Sequence, residues 1–175
     1  MFEIQPMNAE RFRQQTRRST VIIALIFLAL AMVLSTAAVA LFGEPGGDNL
    51  RFNVGGVFVA VLLMVALMRG KFWSQDWMAP AVYGWRLKRS LMSITNIMHQ
   101  VTAAVEQGDP TAMKLLRFYH LGLSQMHELD GNSSDHSQLT REMDQHKARM
   151  EALGIDTQQT QLDPAWLEAM KPLSR

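Results

Sequence analysis

The feature that most constrains this chain is an uncharged apolar run of 22 residues, from Val21 to Phe42. As a helix the run would be ~33 Å long at ~1.5 Å per residue, enough to cross a ~30 Å hydrocarbon layer. A basic stretch precedes the run and the Gly/Pro-rich segment GEPGGDN follows it. The pattern predicts either a retained membrane anchor or the core of a cleaved signal peptide.

The end of the run distinguishes these two alternatives. Ala38-Val39-Ala40 has the small-x-small form of a signal-peptidase site. The run nevertheless exceeds the ~7–15 residues of a signal core, and it continues through Leu41 and Phe42 beyond the candidate cut. We therefore expect a retained anchor, with cleavage after Ala40 as the alternative.

A second apolar segment runs from Val54 to Met68 without a charge. Extended back to Leu50 it would reach ~28 Å, provided that Arg51 extends its guanidinium to the lipid headgroups. The segment predicts a second membrane span, and the alternative is a buried helix in a soluble core. Within it, Gly56 and Ala60 form a small-xxx-small pair, which fits packing on the first span or self-association.

Basic and aromatic residues flank the two segments on one side. The predicted membrane-interface residues are Arg17, Arg18, Arg69, Lys71, Trp73 and Trp77. Such residues gather where hydrocarbon meets water, and we expect them to contact anionic headgroups. The connection between the spans carries Glu44 and Asp48 instead. The positive-inside rule therefore predicts that both termini are cytoplasmic.

These features predict three parts of the chain. They are a basic cytoplasmic segment over residues 1–19, a transmembrane hairpin over 20–70 with spans at about 21–42 and 50–68, and a cytoplasmic helical region over 71–175. Helices in the last part are expected at about 79–107, 110–129, 135–153 and 164–170, because cap–proline pairs and glycines mark their ends. The predicted fold class is all-α: a two-helix transmembrane hairpin followed by a cytoplasmic helical bundle or helical hairpin.

The first cytoplasmic helix carries a heptad seam, since its apolar residues alternate at spacings of four and three. The seam residues are Leu87, Leu91, Ile94, Met98, Val101 and Val105. A seam of this length fits either a core within the chain or a surface for another chain. We favour the core.

The residues offer little reactive chemistry. The chain contains no cysteine and five histidines. His120 and His127 lie two turns apart on one helix face, and a metal site in the bundle would depend on them. We expect His146, on an apolar stripe, to be a hydrogen-bonded core residue and the other histidines to be solvated. No catalytic residue, cofactor site or metal site is predicted, and the basic cluster beside the spans favours lipid over nucleic acid.

Two stretches, FEIQPMNAERFRQQTRRST and ALFGEPGGDNLRFNVGGV, resemble an uncharacterised family of gammaproteobacterial inner-membrane proteins, a domain of unknown function. The resemblance covers the whole chain and implies a retained hairpin in a bacterial inner (plasma) membrane. It implies no activity. We expect a multi-pass, non-enzymatic protein that acts as a small scaffold, assembly factor or accessory subunit through its cytoplasmic helices, by binding a protein partner or itself. The alternative is a metal-dependent enzyme or transporter component with a site in the bundle.

Overall fold

The structure is a computed structural model and describes residues 1–131 and 137–170. In this part the fold is all-α, with seven α-helices and one antiparallel pair of two-residue strands. The helices are α1 (Ala9–Phe42), α2 (Leu50–Gly70), α3 (Ala79–Thr95), α4 (Met98–Glu106), α5 (Pro110–Asp130), α6 (Ser137–Ala152) and α7 (Pro164–Met170), and the strands are β1 (Phe2–Glu3) and β2 (Gln161–Leu162). Two 3-10 turns, Phe72–Ser74 and Asp76–Met78, connect α2 to α3.

The chain forms two compact units. Residues 14–82 form the first, which we call the hairpin unit, and residues 1–13 together with 83–175 form the second, the helical domain. This division differs from the predicted one, because the start of the chain belongs with its C-terminal half.

In the hairpin unit, α1 and α2 pack antiparallel. The rings of Phe42 and Phe52 stack with centroids 6.3 Å apart beside the connection over residues 43–49. At the opposite end, the Ser19 hydroxyl donates a hydrogen bond of 2.6 Å to the Trp77 carbonyl oxygen. An 18-residue apolar stretch of α1 is 0% buried, and the corresponding stretch of the second helix is 17% buried. Both helices are long and apolar enough to cross a membrane, by length and composition.

The two hairpin helices approach closely at Gly56. A Cβ atom at this position would lie 2.5 Å from the Ser35 Cα, so only glycine fits there without a backbone shift. Ala60 and Met64, one and two turns later, are buried on the same face. At Gly55, by contrast, an added Cβ would meet nothing within 4 Å. The Gly56–Ala60 pair therefore packs α2 against α1 within the chain.

The helical domain is built around α5, which packs against α4, α6, α7 and β2. Asp109 caps the helix, since its Oδ1 accepts a hydrogen bond of 2.8 Å from the Ala112 amide, and Pro110 occupies the first turn. The helix ends at Gly131, whose φ of 69° is left-handed. The cap–proline pattern in the sequence thus marks the observed start of α5.

The prediction of one continuous helix over residues 79–107 is wrong in its middle, because α3 ends at Thr95 and α4 begins at Met98. The Thr95 hydroxyl donates to the Leu91 carbonyl oxygen at 3.0 Å, which is the local bonding through which threonine weakens helix interiors. The Ile97 amide then bonds to Ile94, three residues back, and this tightens the last turn. The start predicted at about residue 135 for the helix over 135–153 lies outside the described residues.

The N-terminal segment, predicted to be a separate basic part, contributes to the core of the helical domain. Phe2 packs edge-on against Phe118 with ring centroids 6.4 Å apart, and Phe12 is buried. β1 pairs with β2, and the Ile4 amide extends the ladder by donating to the Thr160 carbonyl oxygen at 2.8 Å. Apolar residues among the arginines therefore anchor the start of the chain.

Candidate functional site

The predicted membrane-interface residues gather at one end of the hairpin unit. They are Arg17, Arg18, Arg69, Lys71, Trp73 and Trp77. The contact between Ser19 and the Trp77 carbonyl joins the start of the first apolar run to the chain just beyond α2. All four cations are exposed, whereas both tryptophans are half-buried. The arrangement gives the hairpin one cationic, aromatic end.

Two acidic residues lie at the opposite end of the hairpin, whereas the third of this unit, Asp76, lies beside Trp77 at the cationic end. Exposed Glu44 and Asp48 lie in the connection, which Asn49 closes. The Asn49 side chain accepts from the Glu44 amide and donates to the Glu44 carbonyl, both at 3.1 Å. The two ends of the hairpin therefore differ in the sign of their charge.

The heptad seam forms core within the helical domain. Leu87, Ile94 and Val101 are completely buried, and the remaining seam residues except Met98 are nearly so. The seam is shared between two clusters, because Ile94 and Val101 pack with Phe118 whereas Leu87 packs with Phe12. Of the two readings of the seam, its burial within one chain supports the core.

A cleft of about 620 Å³ opens between α4, α5 and α6 of the helical domain. Its apolar wall consists of half-buried side chains, namely Met98, Leu116, Leu123 and Leu139. Its polar side chains include His120, Glu142, His146 and Arg149. The volume lies in the range of small-molecule and peptide-anchor sites, so we take this cleft as the candidate site.

Two histidines meet in the cleft. The rings of His120 and His146 are nearly perpendicular, with centroids 5.3 Å apart. The Nε2 of His146 lies 3.0 Å from the Met113 carbonyl oxygen, and because a carbonyl only accepts, this nitrogen carries the proton. His120 is 6% exposed, and its buried Nδ1 has no hydrogen-bond partner among the described residues.

Burial sets the charge of this pair. Desolvation by burial, reinforced by the neighbouring His146 and Arg117, lowers the pKa of His120 to about 4. Burial also lowers the pKa of His146, with the Met113 carbonyl opposing the shift and Arg117 and Arg149 reinforcing it. Both imidazoles are therefore neutral at pH 7.

Arg117 places a buried positive charge near the two histidines. It is buried, and its Nε donates to the Thr157 carbonyl oxygen at 3.1 Å. Burial lowers its pKa, and the carboxylates of Asp144 and Glu151 oppose that shift. Arginine remains charged under such shifts, so the site contains a fixed positive charge near two neutral histidines.

The arrangement corrects the sequence analysis on His120. The prediction that this residue is solvated is wrong, while the prediction that His146 is a hydrogen-bonded core residue is confirmed. His120 meets His146 rather than His127, which lies two turns away on α5. No group of three His, Cys, Asp or Glu side chains suited to a metal ion occurs in the described part of the chain.

A signal for His120 was present in the sequence. Leu116, His120 and Leu123 follow the four-three spacing of a buried stripe, as Met143, His146 and Met150 do on α6. The buried Arg117 has no comparable signal, because a charged residue between apolar neighbours is most often exposed.

Comparison with known proteins gives one match. No curated protein and no solved structure matches the chain. A family model matches residues 2–167, nearly the whole length, and its description is "Protein of unknown function (DUF3087)". Because this match covers both the hairpin unit and the helical domain, the chain belongs to the DUF3087 family.

Proposed function

We propose that this protein is a non-enzymatic, multi-pass protein of the bacterial inner membrane, in which the hairpin spans the bilayer and the helical domain binds a protein partner in the cytoplasm. In this role it would act as a small scaffold, assembly factor or accessory subunit. The observation that carries the proposal is the outward apolar surface of the hairpin helices.

That surface is too large for water. Sixteen large apolar side chains between Val21 and Val65 are at least 40% exposed, Leu25 and Met32 at 63% and 65%. Transfer of the exposed part into hydrocarbon would stabilise the chain by on the order of 15–25 kcal/mol, at ~1.5–3 kcal/mol per fully buried side chain. This exceeds or equals the ~5–15 kcal/mol that holds a typical domain together. The hydrocarbon layer of a bilayer is the environment in which this apolar surface is stable.

The charge difference between the hairpin ends supports the orientation. Arginine and lysine near the ends of spans stay cytoplasmic, so the end with Arg17, Arg18, Arg69 and Lys71 belongs at the inner face, against anionic headgroups. The connection over residues 43–49 then faces the periplasm.

Reporter fusions test this topology. Alkaline phosphatase fused after Phe42 should be active, and a fluorescent protein fused after Arg175 should fluoresce in the cytoplasm. Mass spectrometry of the intact, membrane-extracted protein should give the mass of a chain that still contains the residues before Ala40. Phosphatase activity at Arg175, or a mature chain that begins at Leu41, would contradict the retained two-span hairpin.

The cleft supports the binding role, because a partially apolar groove between helices is a common seat for a partner side chain or helix. Affinity purification from mild detergent tests it with a matched pair of variants. Leu123→Asp introduces a charge into the apolar wall, whereas the neighbouring Ser124→Asp changes an exposed position outside the cleft. We expect the first to lose the co-purified partner and the second to retain it. Equal recovery with both folded variants would exclude the cleft as the binding surface.

The His120–His146 pair favours a second candidate, a metal-dependent enzyme or transporter component. Two neutral imidazoles beside a cleft are groups that bind transition metals, although a site with only two protein ligands is incomplete. Metal analysis of the purified protein separates the candidates. Stoichiometric zinc or iron that is lost in both His120→Asn and His146→Asn would favour this second candidate over the scaffold.

A further inference from the structure

The outer face of α3 combines cationic and large apolar side chains. Leu87, Leu91 and Ile94 turn one face of this helix into the core of the helical domain. Trp85 and Met92 lie on the opposite face, two turns apart, and they are 47% and 63% exposed. Packing against the core accounts for the apolar character of Leu87, Leu91 and Ile94. It does not account for Trp85 and Met92, which are partly exposed to solvent.

Arginine accompanies these apolar residues. The Arg89 guanidinium lies 5.2 Å from the centroid of the Trp85 ring, one turn away on the same face. Arg86 flanks the pair. Neither arginine forms an ion pair with any residue in the described ranges 1–131 and 137–170, whereas Lys88 pairs with Asp130 at 3.3 Å. The sequence of α3 contains no acidic residue, so every charged side chain of the helix is positive.

We propose that this outer face of α3 docks on an anionic lipid surface, with Trp85 and Met92 in the interfacial layer and Arg86 and Arg89 at the headgroups. Tryptophan and arginine are the residues that suit this layer, because each has an apolar body and a polar end. The inference rests on the proposed membrane anchoring, from which it takes the nearness of the bilayer.

Nearness follows from the length of the chain. α3 begins nine residues after α2 ends, and nine extended residues span at most ~32 Å. A helix tethered at such a distance meets the bilayer at high effective concentration, so weak contacts suffice. Two arginines near an anionic surface should shift the docking equilibrium by roughly 30-fold, at about fivefold for each charge.

The absence of cysteine from the chain allows a direct test on the full-length protein. Met92→Cys carries a nitroxide label, and the protein is reconstituted in nanodiscs of phosphatidylcholine, with or without phosphatidylglycerol. Electron paramagnetic resonance then compares collisions of the label with oxygen, which partitions into lipid, and with a water-soluble nickel chelate. Ala148→Cys, at an exposed position of α6, is the control.

We expect the label at position 92 to become shielded from nickel and accessible to oxygen only when phosphatidylglycerol is present. Arg86→Gln combined with Arg89→Gln should restore nickel access, and the label at position 148 should stay in water throughout. A label at position 92 that remains in water in anionic discs overturns the inference. So does shielding that persists in phosphatidylcholine alone, because it would indicate a protein contact instead of charge-dependent docking.

A second label separates this inference from the anchoring on which it rests. Leu28→Cys lies within the first apolar run, seven residues after its start, and Leu28 is exposed. If the label at position 28 reports hydrocarbon while that at position 92 reports water, the anchoring stands and the docking of α3 falls. If the label at position 28 also reports water, the membrane hairpin itself is wrong.

Discussion

Acidification should destabilise the helical domain through its buried histidine pair. The unfolded chain binds a proton at His120 with the ordinary pKa of 6.5, whereas the folded chain binds it only near pH 4. Between these values the unfolded state holds more protons, so the free energy of unfolding falls as the pH falls. The contribution of neutral His120 is fully present above pH 6.5 and is lost by about pH 4.

The size of the effect follows from the difference between the two pKa values. A difference of about 2.5 units, at 1.36 kcal/mol per unit, gives a loss of about 3 kcal/mol at pH 4 and about 2 kcal/mol at pH 5. His146 shifts in the same direction and adds to the loss. For a domain stabilised by ~5–15 kcal/mol, such a loss is easily measured.

Urea unfolding of the full-length protein in nanodiscs, followed between pH 7 and pH 4.5, measures this dependence. Trp166 packs against the core of the helical domain, so it reports that unit when Trp73, Trp77 and Trp85 are replaced by phenylalanine. His120→Gln should flatten the dependence of the unfolding free energy on pH. Any dependence on pH that does not involve His120 cancels when the variant is compared with its parent.

His99 provides the matched control, because it is the exposed histidine of α4. His99→Gln should leave the pH dependence as it is in the parent protein. Equal slopes for His120→Gln and the parent would refute the reasoning, and so would a proton NMR titration in which the His120 ring changes charge near pH 6.5. Either result would mean that water reaches the His120 ring.

Three further predictions concern packing. Ile94→Asp should abolish cooperative unfolding of the helical domain, because an unpaired buried carboxylate costs several kcal/mol, whereas the exposed neighbour variant Thr95→Asp should unfold normally in the same urea assay. Gly56→Ala should lower the thermal stability of the hairpin in detergent by about 1–3 kcal/mol, since its Cβ would meet the Ser35 backbone, and circular dichroism should detect no such loss in Gly55→Ala. Deletion of residues 1–7 should destabilise the helical domain by several kcal/mol, since it removes β1 and the half-buried Phe2 ring; unchanged urea midpoints would show that the N-terminal segment is dispensable.

The starts of α5 and α7 and the ends of α4 and α6 were the features most accessible from sequence. Asp109-Pro110 and Asp163-Pro164 each supply a carboxylate for free amides and a proline whose fixed φ suits the first helical turn. Gly108 and Gly154 adopt the left-handed φ that few other residues accept. These signals are local, because each depends on a few consecutive residues, and local chemistry is what a sequence displays.

The N-terminal segment was harder to place, because its function in the fold depends on distant residues. Four arginines dominate its composition, yet Phe2 and Phe12 determine its position by packing against residues more than 70 positions away. The hydrogen bond from the Gln5 amide to the Tyr83 hydroxyl, at 3.0 Å, has the same long range. The strands β1 and β2 are two residues long, which is too short to show the alternation of a strand. Neither strand was therefore predicted from the sequence.

The histidine pair marks the limit of periodicity as a guide. The stripes on α5 and α6 indicate that His120 and His146 each face the core, but a stripe contains several side chains per helix. Which two of them meet depends on the rotation and the axial offset of one helix against the other, and a change of one residue turns a side chain by about 100°. His127 lies on the same side of α5 as His120, and spacing alone predicts that a site in the bundle would use these two histidines together. The structure selects His146 because its ring can donate to the Met113 carbonyl while it covers His120. The neutral pair, and with it the pH dependence, therefore arises from packing between helices and has no counterpart in either helix considered separately.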